Sequence, residues 1–317
     1  MSTTLVRVDQ PLALISQVQR SGGTLLQRLL DGHPQCHVLP FQFRGIDGAV
    51  KRLVSDPRTA WQALYDPKLA ERYRRGHRQR KGAVLQDEEV FEFSLRPDVQ
   101  RSIYDSCAAA LDRPNTRSLV ACYLTSYFSA WTDYANAVGD KRWAVAFEPA
   151  IASGPRRWVE LRRLYPEGKV ISIVRDPWSW YASARRWEHR WQRREDAIAH
   201  WSKVGRNTLK WRKLVSPEFL AIAFEDLLAD TETTMRRVAA FLEIDFVPQL
   251  LVPTFNGEPI RANTSFADVS TEVSTKPLER AKRELDEDDY AFVTEHAGRL
   301  YARLLKVIGK DRMIHTY

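Results

Sequence analysis

The sequence lacks the features that mark several large protein classes. Its 317 residues include only three cysteines, Cys36, Cys107 and Cys122, whose spacing fits no metal site and which cannot all pair with one another. No stretch reaches about 18 uncharged apolar residues, and the apolar part of the N-terminus is too short for a signal peptide. We therefore expect a cytoplasmic protein with buried thiols, no bound metal and no membrane span.

Internal repeats, low-complexity stretches and a clear linker are also missing, which favours one domain over residues 1–317. Hydrophobic residues make up 44% of the chain, enough to build a substantial core. A net charge of +8 favours anionic partners, but the basic residues are dispersed and no zinc-finger or RNP pattern accompanies them. We therefore expect no nucleic-acid partner, and the sequence leaves the oligomeric state open.

Short apolar segments of strand type alternate with segments of helical periodicity. Residues 12–18 predict a buried strand, and residues 24–34 predict a helix that ends at a glycine and a proline. Residues 168–187 repeat this order, with Pro177 suited to the first helical position. Further strands are expected within 142–147 and 219–228, and further helices within 119–138, 156–166 and 231–244. The alternation predicts a three-layer α/β/α fold with a central parallel sheet and a mostly helical insertion around residues 45–140.

The first turn, Arg-Ser-Gly-Gly-Thr, has the composition of an anion site. A glycine-rich turn that opens a helix presents unpaired backbone N–H groups and the positive end of the helix dipole. Gly22 and Gly23 let the backbone approach an anion closely. Ser21 and Thr24 add hydroxyl donors, and Arg20 adds a fixed charge. The alternative is an ordinary strand-to-helix turn with a surface arginine. No Gly-Lys-Ser/Thr triplet completes a Walker pattern, so a magnesium-dependent NTPase is disfavoured.

A second anion site is indicated where the strand within 168–187 ends. Arg175 ends that strand, and Ser183 follows eight residues later, about two helical turns into the next helix. Both side chains can reach one anion at the carboxyl edge of the sheet, where open α/β sheets bind ligands. The alternative is an exposed strand-end arginine and an ordinary helix serine.

Together, the two motifs resemble those of sulfotransferases that use 3′-phosphoadenosine 5′-phosphosulfate (PAPS). The first turn resembles their 5′-phosphosulfate loop, which reads [KR]-S-G-T-T or K-G-G-T and precedes a leucine-rich helix and commonly a His-Pro. Arg-Asp-Pro at 175–177, with a serine eight residues after the arginine, resembles their 3′-phosphate motif. Residues 224–244 resemble the family's Glu-Asp-Leu strand end and helix, for which we expect an architectural role.

The resemblance runs in patches from about residue 12 to 266 and implies a P-loop-like sulfotransferase fold of carbohydrate or bacterial type. It implies a metal-free reaction in which PAPS is the co-substrate, a hydroxyl or amine of a carbohydrate or small metabolite is the acceptor, and adenosine 3′,5′-bisphosphate (PAP) is the product. The implied nucleotide-binding residues are Arg20, Ser21, Gly22, Gly23, Thr24, Arg175 and Ser183. Residues 255–266 resemble the late loop that closes over the nucleotide, so Arg261 and Ser265 are further candidates, with a surface loop as the alternative. The insertion, which matches only loosely, is expected to shape the acceptor site.

The general base departs from the family pattern. Many carbohydrate and protein sulfotransferases place a glutamate roughly twenty residues after the basic residue of the loop, where this chain has Gln42, which cannot accept a proton. Candidate replacements are His33, His37, Asp133 on the predicted helix 119–138, and Glu148. Glu148 is preferred because strand carboxyl ends face the ligand in this architecture, and His33 is kept as a second catalytic candidate. Each also has a structural alternative: a helix-end cap for His33, a loop position for His37, and unreactive charges for the two acids.

Two other functions remain open at this point. A protein that keeps the fold and binds PAPS without turnover would explain the missing glutamate. A P-loop kinase acting on a small metabolite is the third possibility.

Overall fold

The computed structural model describes residues 5–43, 55–67, 77–78, 90–91, 93–151, 154–187, 189–215, 217–260, 273, 275, 278 and 283–314. Five strands form its central sheet: β1 (Leu12–Gln17), β2 (Cys36–Gln42), β5 (Trp143–Phe147), β6 (Lys169–Val174) and β7 (Phe219–Ala223). Two short antiparallel pairs stand apart, β3 (His77–Arg78) with β4 (Val90–Phe91), and β8 (Thr254–Phe255) with β9 (Glu258–Pro259).

The central sheet is parallel throughout and has the order β2-β5-β1-β6-β7. The first strand therefore lies in the middle, with Leu12 paired to Ala144 on one side and Ala13 paired to Lys169 on the other. Every residue of β1 is buried. This continuous burial is typical of a parallel sheet covered on both faces.

Ten helices surround the sheet in the described part of the chain. They are α1 (Gly23–Leu30), α2 (Pro57–Leu64), α3 (Pro97–Ala109), α4 (Thr116–Ala130), α5 (Pro155–Leu164), α6 (Pro177–Trp187), α7 (Arg194–Leu214), α8 (Phe224–Ala229), α9 (Thr231–Leu242) and α10 (Glu287–Ile314). Pro177 opens α6, as predicted. None of these helices combines the length and the apolar character needed to cross a bilayer.

The two faces of the sheet build two separate cores. Ala13 and Ile15 of β1 pack with leucines of α1 and with α8 and α9, whereas Leu12 and Leu14 belong to the core shared with α4, α5, α6, α7 and α10. Successive residues of a strand point to opposite faces, so one apolar run supplies both cores. The helices on each face and the sheet between them confirm the predicted three-layer α/β/α fold.

Two local predictions are wrong. His37, for which a loop position was the structural alternative, lies on β2 and pairs with Ala144. His37 and Pro40 interrupt the apolar run of β2, so periodicity alone did not identify the strand. The helix expected over 119–138 ends at Ala130, so Asp133 lies in the turn that follows α4. There its Oδ1 accepts a hydrogen bond from the Ser94 N–H at 3.1 Å.

The prediction of buried thiols is wrong for two of the three cysteines. Cys107 on α3 and Cys122 on α4 form a disulfide with a Cα–Cα distance of 5.5 Å, and only Cys36 is a free, buried thiol. The sequence could not predict this pairing because the 15-residue separation brings the two positions together only through the packing of α3 on α4. The cysteines therefore no longer support a reducing compartment.

The disulfide gives a first testable prediction. Exchanging both Cys107 and Cys122 for serine is expected to lower the free energy of unfolding by about 3 kcal/mol, because the bond closes a loop of 15 residues in the unfolded chain. Urea unfolding with and without reductant measures this. Reductant should destabilise the wild type and leave the double variant unchanged. Three reactive thiols in the unreduced, unfolded wild type, instead of one, would contradict the pairing.

Candidate functional site

The carboxyl ends of the central strands bring the two sequence motifs to one edge of the sheet. Gln17 at the end of β1 pairs with Ile173, one residue before the end of β6. The turn at 20–24 and Arg175 therefore follow two strand ends that lie side by side. Phe147 at the end of β5 pairs with Ile15 on the other side of β1. Open parallel sheets bind ligands at this edge.

The turn between β1 and α1 has the backbone of an anion-binding nest. Arg20 (φ 75°) and Gly22 (φ 97°) are both left-handed and flank Ser21. Gly22 is the N-cap of α1, and no side chain caps that helix. The Gly23 N–H donates to Gln17 Oε1 at 2.5 Å, which ties the helix start to the strand. The remaining amides of the first helical turn have no partner within the helix and can donate to an anion.

Both glycines of the turn are required by close contacts. A Cβ atom on Gly22 would lie 2.2 Å from the Phe224 ring, and the positive φ would be strained for any other residue. A Cβ atom on Gly23 would lie 2.4 Å from the Phe147 ring. The backbone of the turn therefore packs directly on two aromatic rings, Phe224 just after β7 and Phe147 at the end of β5.

Arg175 lies against this turn. Its Nη1 donates to the carbonyl oxygen of Arg20 at 3.0 Å, and its Nε donates to Ser179 Oγ at 2.9 Å. The guanidinium also stacks over the Phe224 ring, 5.2 Å from the ring centre. The structure thus joins the two predicted motifs directly. Arg175 is only 6% exposed, so the alternative of an exposed arginine at the strand end is wrong.

Ser21 Oγ and Arg175 Nη2 are buried at this junction and lack a hydrogen-bond partner among the described residues. Ser21 is fully buried. Leaving a buried donor unpaired costs free energy, so such groups call for an explanation. Anionic oxygens of one bound nucleotide, one at each motif, would satisfy these two groups, and the residues present therefore fit a nucleotide phosphate or phosphosulfate.

The peptide unit between Arg175 and Asp176 is held at both ends. Trp201 Nε1 donates to the Arg175 carbonyl at 3.1 Å, and the Asp176 N–H donates to Glu225 Oε1 at 2.9 Å. The Asp176 carboxylate caps α6, accepting from the backbone N–H of Ser179 at 2.8 Å and also from its hydroxyl. Sequence reasoning missed Ser179, although an aspartate three residues before a serine at a helix start is the signal of such a cap.

Other predicted residues have varied positions. Ser183 is buried on α6, one helical turn beyond Ser179 and on the same side of the helix. Thr24 is exposed in the first turn of α1. Arg261 and Ser265 lie outside the described residues.

The sulfotransferase family profile matches residues 11–248, well over half of the chain. The chain belongs to the sulfotransferase family. The match begins at β1 and includes the turn at 20–24, Arg175 and Glu225. It ends before α10.

Solved sulfotransferase structures share the fold of this family member. The sulfotransferase domain of the Synechococcus PCC 7002 olefin synthase is 19% identical, with a TM-score of 0.56, covering 93% of this chain and 96% of that one. The sulfotransferase domain from the curacin biosynthetic pathway is 15% identical, with a TM-score of 0.53 and coverages of 90% and 97%. A sulfotransferase from Alicyclobacillus acidocaldarius is 15% identical, with a TM-score of 0.50 and coverages of 95% and 97%. No curated protein matches the sequence at a significant level.

Glu148 follows β5 at the same edge of the sheet as the family's nucleotide motifs. Its backbone N–H donates to the Ile15 carbonyl at 2.9 Å, and its Oε1 accepts from the Ala150 N–H at 3.0 Å. Gln42 pairs with Phe147 and is therefore a neighbour of Glu148 at this edge. Glu148 is only 2% exposed, so an acceptor would have to reach it from the crevice.

The two histidine candidates lie near the amino ends of the parallel strands, whereas the sulfotransferase motifs follow the carboxyl ends. His33 follows the end of α1, about 12 Å along the helix from the turn, and its ring nitrogens contact the Asp245 carbonyl and the Gln35 N–H. His37 Nδ1 lies 2.9 Å from the Tyr134 hydroxyl. Burial lowers the pKa of His33, and burial lowers the pKa of His37 to about 3. This placement leaves neither histidine near the anion-binding turn.

Glu225 gives a second prediction, on the pH dependence of stability. Burial, followed by the negative charge of Asp176, raises its pKa to about 7. In the unfolded chain a glutamate titrates near pH 4.3, so between about pH 4.5 and 7 only the folded protein holds this proton. The free energy of unfolding should therefore fall as pH rises through this window, relative to Glu225→Gln, by on the order of 1 to 3 kcal/mol. Urea unfolding across the window checks this, and parallel curves for the two proteins would contradict it.

Proposed function

We propose that this sulfotransferase transfers the sulfuryl group of PAPS to a hydroxyl or amine of a carbohydrate or small metabolite and releases PAP. The observation that carries the proposal is the hydrogen bond from Arg175 Nη1 to the Arg20 carbonyl at 3.0 Å. It joins two motifs 155 residues apart that the family resemblance assigns to opposite ends of one nucleotide. Ser21 Oγ and Arg175 Nη2, buried and unpartnered among the described residues, support an anionic ligand at this junction.

The proposed roles divide between the two ends of the nucleotide. Sulfuryl transfer builds negative charge on the leaving phosphate, so positioned cations and N–H donors stabilise its transition state. Arg20, Ser21 and the first amides of α1 are assigned to the 5′-phosphosulfate. Arg175 and Ser183 are assigned to the 3′-phosphate, with Arg261 and Ser265 as further candidates.

Glu148 is our proposed general base. Two facts support it: it follows a strand at the carboxyl edge, and it is the neighbour of Gln42, which stands where relatives of the carbohydrate type have a glutamate. A carboxylate beside Gln42 could take the proton of the acceptor group, which glutamine cannot accept. We further propose that residues 45–140 shape the acceptor site.

Binding of PAPS without turnover is the second candidate function, because Glu148 is almost fully buried and Gln42 cannot act as a base. Transfer of labelled sulfate from PAPS to acceptors in a panel of sugars, phenols and amines separates the two. Transfer to any of them supports the enzyme, and intact PAP binding with no transfer to the whole panel supports the binding protein.

Thermal unfolding with different nucleotides tests the nucleotide assignment. PAP at about 100 times its dissociation constant should add roughly 2.7 kcal/mol to the stability of the folded state, without any need for magnesium. ATP with magnesium is the matched comparison. Protection by ATP and magnesium, with none by PAP, would overturn the proposal in favour of a kinase.

A further inference from the structure

The C-terminal helix α10 reaches the residues that hold Arg175, although it lies outside the part of the chain that matches the family. The Tyr301 hydroxyl donates to Glu225 Oε2 at 3.1 Å. The helix is fastened to α6 at two further points: Trp178 Nε1 donates to Thr294 Oγ1 at 3.0 Å, and Arg185 Nη1 lies 2.7 Å from Asp289 Oδ2. Tyr301 is therefore held at a fixed position relative to α6.

Glu225 connects Tyr301 to the backbone of Arg175. One carboxylate oxygen accepts from the Asp176 N–H, and the other accepts from the Tyr301 hydroxyl. The same peptide unit is bound through its carbonyl by Trp201 Nε1, and the Trp201 and Tyr301 rings meet edge to face at 6.3 Å. Tyr301 thus touches both groups that fix the plane of this peptide.

The direction of the Arg175 side chain depends on that peptide plane. Rotation of the unit would move the Asp176 carboxylate, which accepts from the Ser179 hydroxyl, and Ser179 Oγ accepts from Arg175 Nε at 2.9 Å. Arginine binds a phosphate well only when its fork is correctly oriented. A loss of order at Glu225 should therefore change the orientation of the Arg175 guanidinium.

We propose that Tyr301 is a positioning residue for nucleotide binding, which acts through Glu225 and the Arg175–Asp176 peptide to orient the Arg175 guanidinium. This inference rests on the proposed function, since the ligand that Arg175 serves is the nucleotide.

The charges around Glu225 explain why a neutral hydroxyl donor suits this place. The acidic groups whose charges act on the pair of Glu225 and Tyr301 are Asp176 and Asp226. Arg175 is the cation that interacts with Asp176 and Glu225. Tyr301 faces Glu225 from α10. Burial, together with Glu225 and Asp176, raises the pKa of Tyr301, so the hydroxyl keeps its proton. Above about pH 7, where Glu225 is ionised, the hydroxyl can therefore hold the carboxylate as a donor.

Tyr301→Phe tests the inference, with Tyr290→Phe as the matched control. Both changes remove one hydroxyl from α10 and keep a ring that contacts Trp178, and Tyr290 is half exposed. The dissociation constant of PAP is measured by calorimetry at about pH 8, where Glu225, with a pKa of about 7, is ionised. We expect Tyr301→Phe to weaken PAP binding roughly tenfold, and Tyr290→Phe to leave it within about twofold.

An Arg175→Lys background distinguishes positioning from general destabilisation. If Tyr301 acts through the arginine fork, Tyr301→Phe should cost little further affinity when lysine replaces that fork. The same tenfold loss in both backgrounds, or equal PAP affinities of Tyr301→Phe and Tyr290→Phe, would overturn the inference. If Tyr301→Phe does not fold, Glu225→Gln weakens the same contact and should reproduce both results. Failure of the wild type to bind PAP would instead overturn the proposed function.

Discussion

Arg20→Gln is expected to lower the rate of sulfuryl transfer by about 10²- to 10³-fold, the usual loss when one transition-state donor is removed. The same variant should change PAP affinity much less, because in the proposed arrangement the amides of the turn and Arg175 would still hold the nucleotide. Arg175→Gln should show the opposite pattern, with a large loss of PAP affinity and a smaller loss of turnover at saturation. The two arginines lie at one junction, so this division tests whether each serves its own end of the ligand.

The measurements are PAP calorimetry and kcat with saturating PAPS for both variants. Arg96→Gln is the control for a change of charge, because Arg96 is exposed and pairs only with Asp98 at 3.1 Å among the described residues. It should match the wild type in both assays. Equal losses of kcat and of affinity in Arg20→Gln and Arg175→Gln would contradict separate roles.

Gly22→Ala is expected to destabilise the protein by about 2 to 5 kcal/mol and to abolish measurable PAP binding. The added Cβ would lie 2.2 Å from the Phe224 ring, at a residue whose φ of 97° already disfavours alanine. Movement of the ring would disturb the Arg175 guanidinium, which stacks on it at 5.2 Å. One methyl group should therefore disturb the turn and the second motif together.

Gly257→Ala isolates the contribution of the clash. Gly257 has a similar φ of 84°, but a Cβ there would meet no atom within 4 Å. Its variant should lose only the cost of the left-handed backbone, on the order of 1 kcal/mol of stability. Urea unfolding compares the two variants. Equal losses of stability for Gly22→Ala and Gly257→Ala would rule out the contact with Phe224 as the cause.

The sequence predicts the frame of the site because that frame is local. β1 and β6 are short, predominantly apolar segments, and the glycines and Pro177 mark the turns that follow them. These signals place the two motifs on parallel strands, and the parallel arrangement brings them to one edge. The strand β2 was missed because its proline and polar residues break the apolar pattern that identifies a strand.

What the sequence could not predict are the contacts between distant segments. Glu225 acquires its role only when its carboxylate meets the backbone N–H of Asp176, and Arg175 only when its guanidinium meets the carbonyl of Arg20. The burial of Arg175 has the same origin, since an arginine at a strand end is ordinarily exposed. The limit of α4 also depends on tertiary contacts, because the turn after Ala130 bonds to residues near 94 and 256.

The order of the strands has a consequence for synthesis on the ribosome. β1 is made first, yet its neighbours in the sheet begin at Leu12↔Ala144 and Ala13↔Lys169, so at least 132 residues (144 − 12) must follow before it finds a partner. At roughly 5 to 20 residues per second, this delay lasts about 7 to 26 s. Throughout that time a predominantly apolar segment is outside the sheet with both edges unpaired, which makes the nascent chain a candidate client for chaperones that bind early-emerging hydrophobic segments.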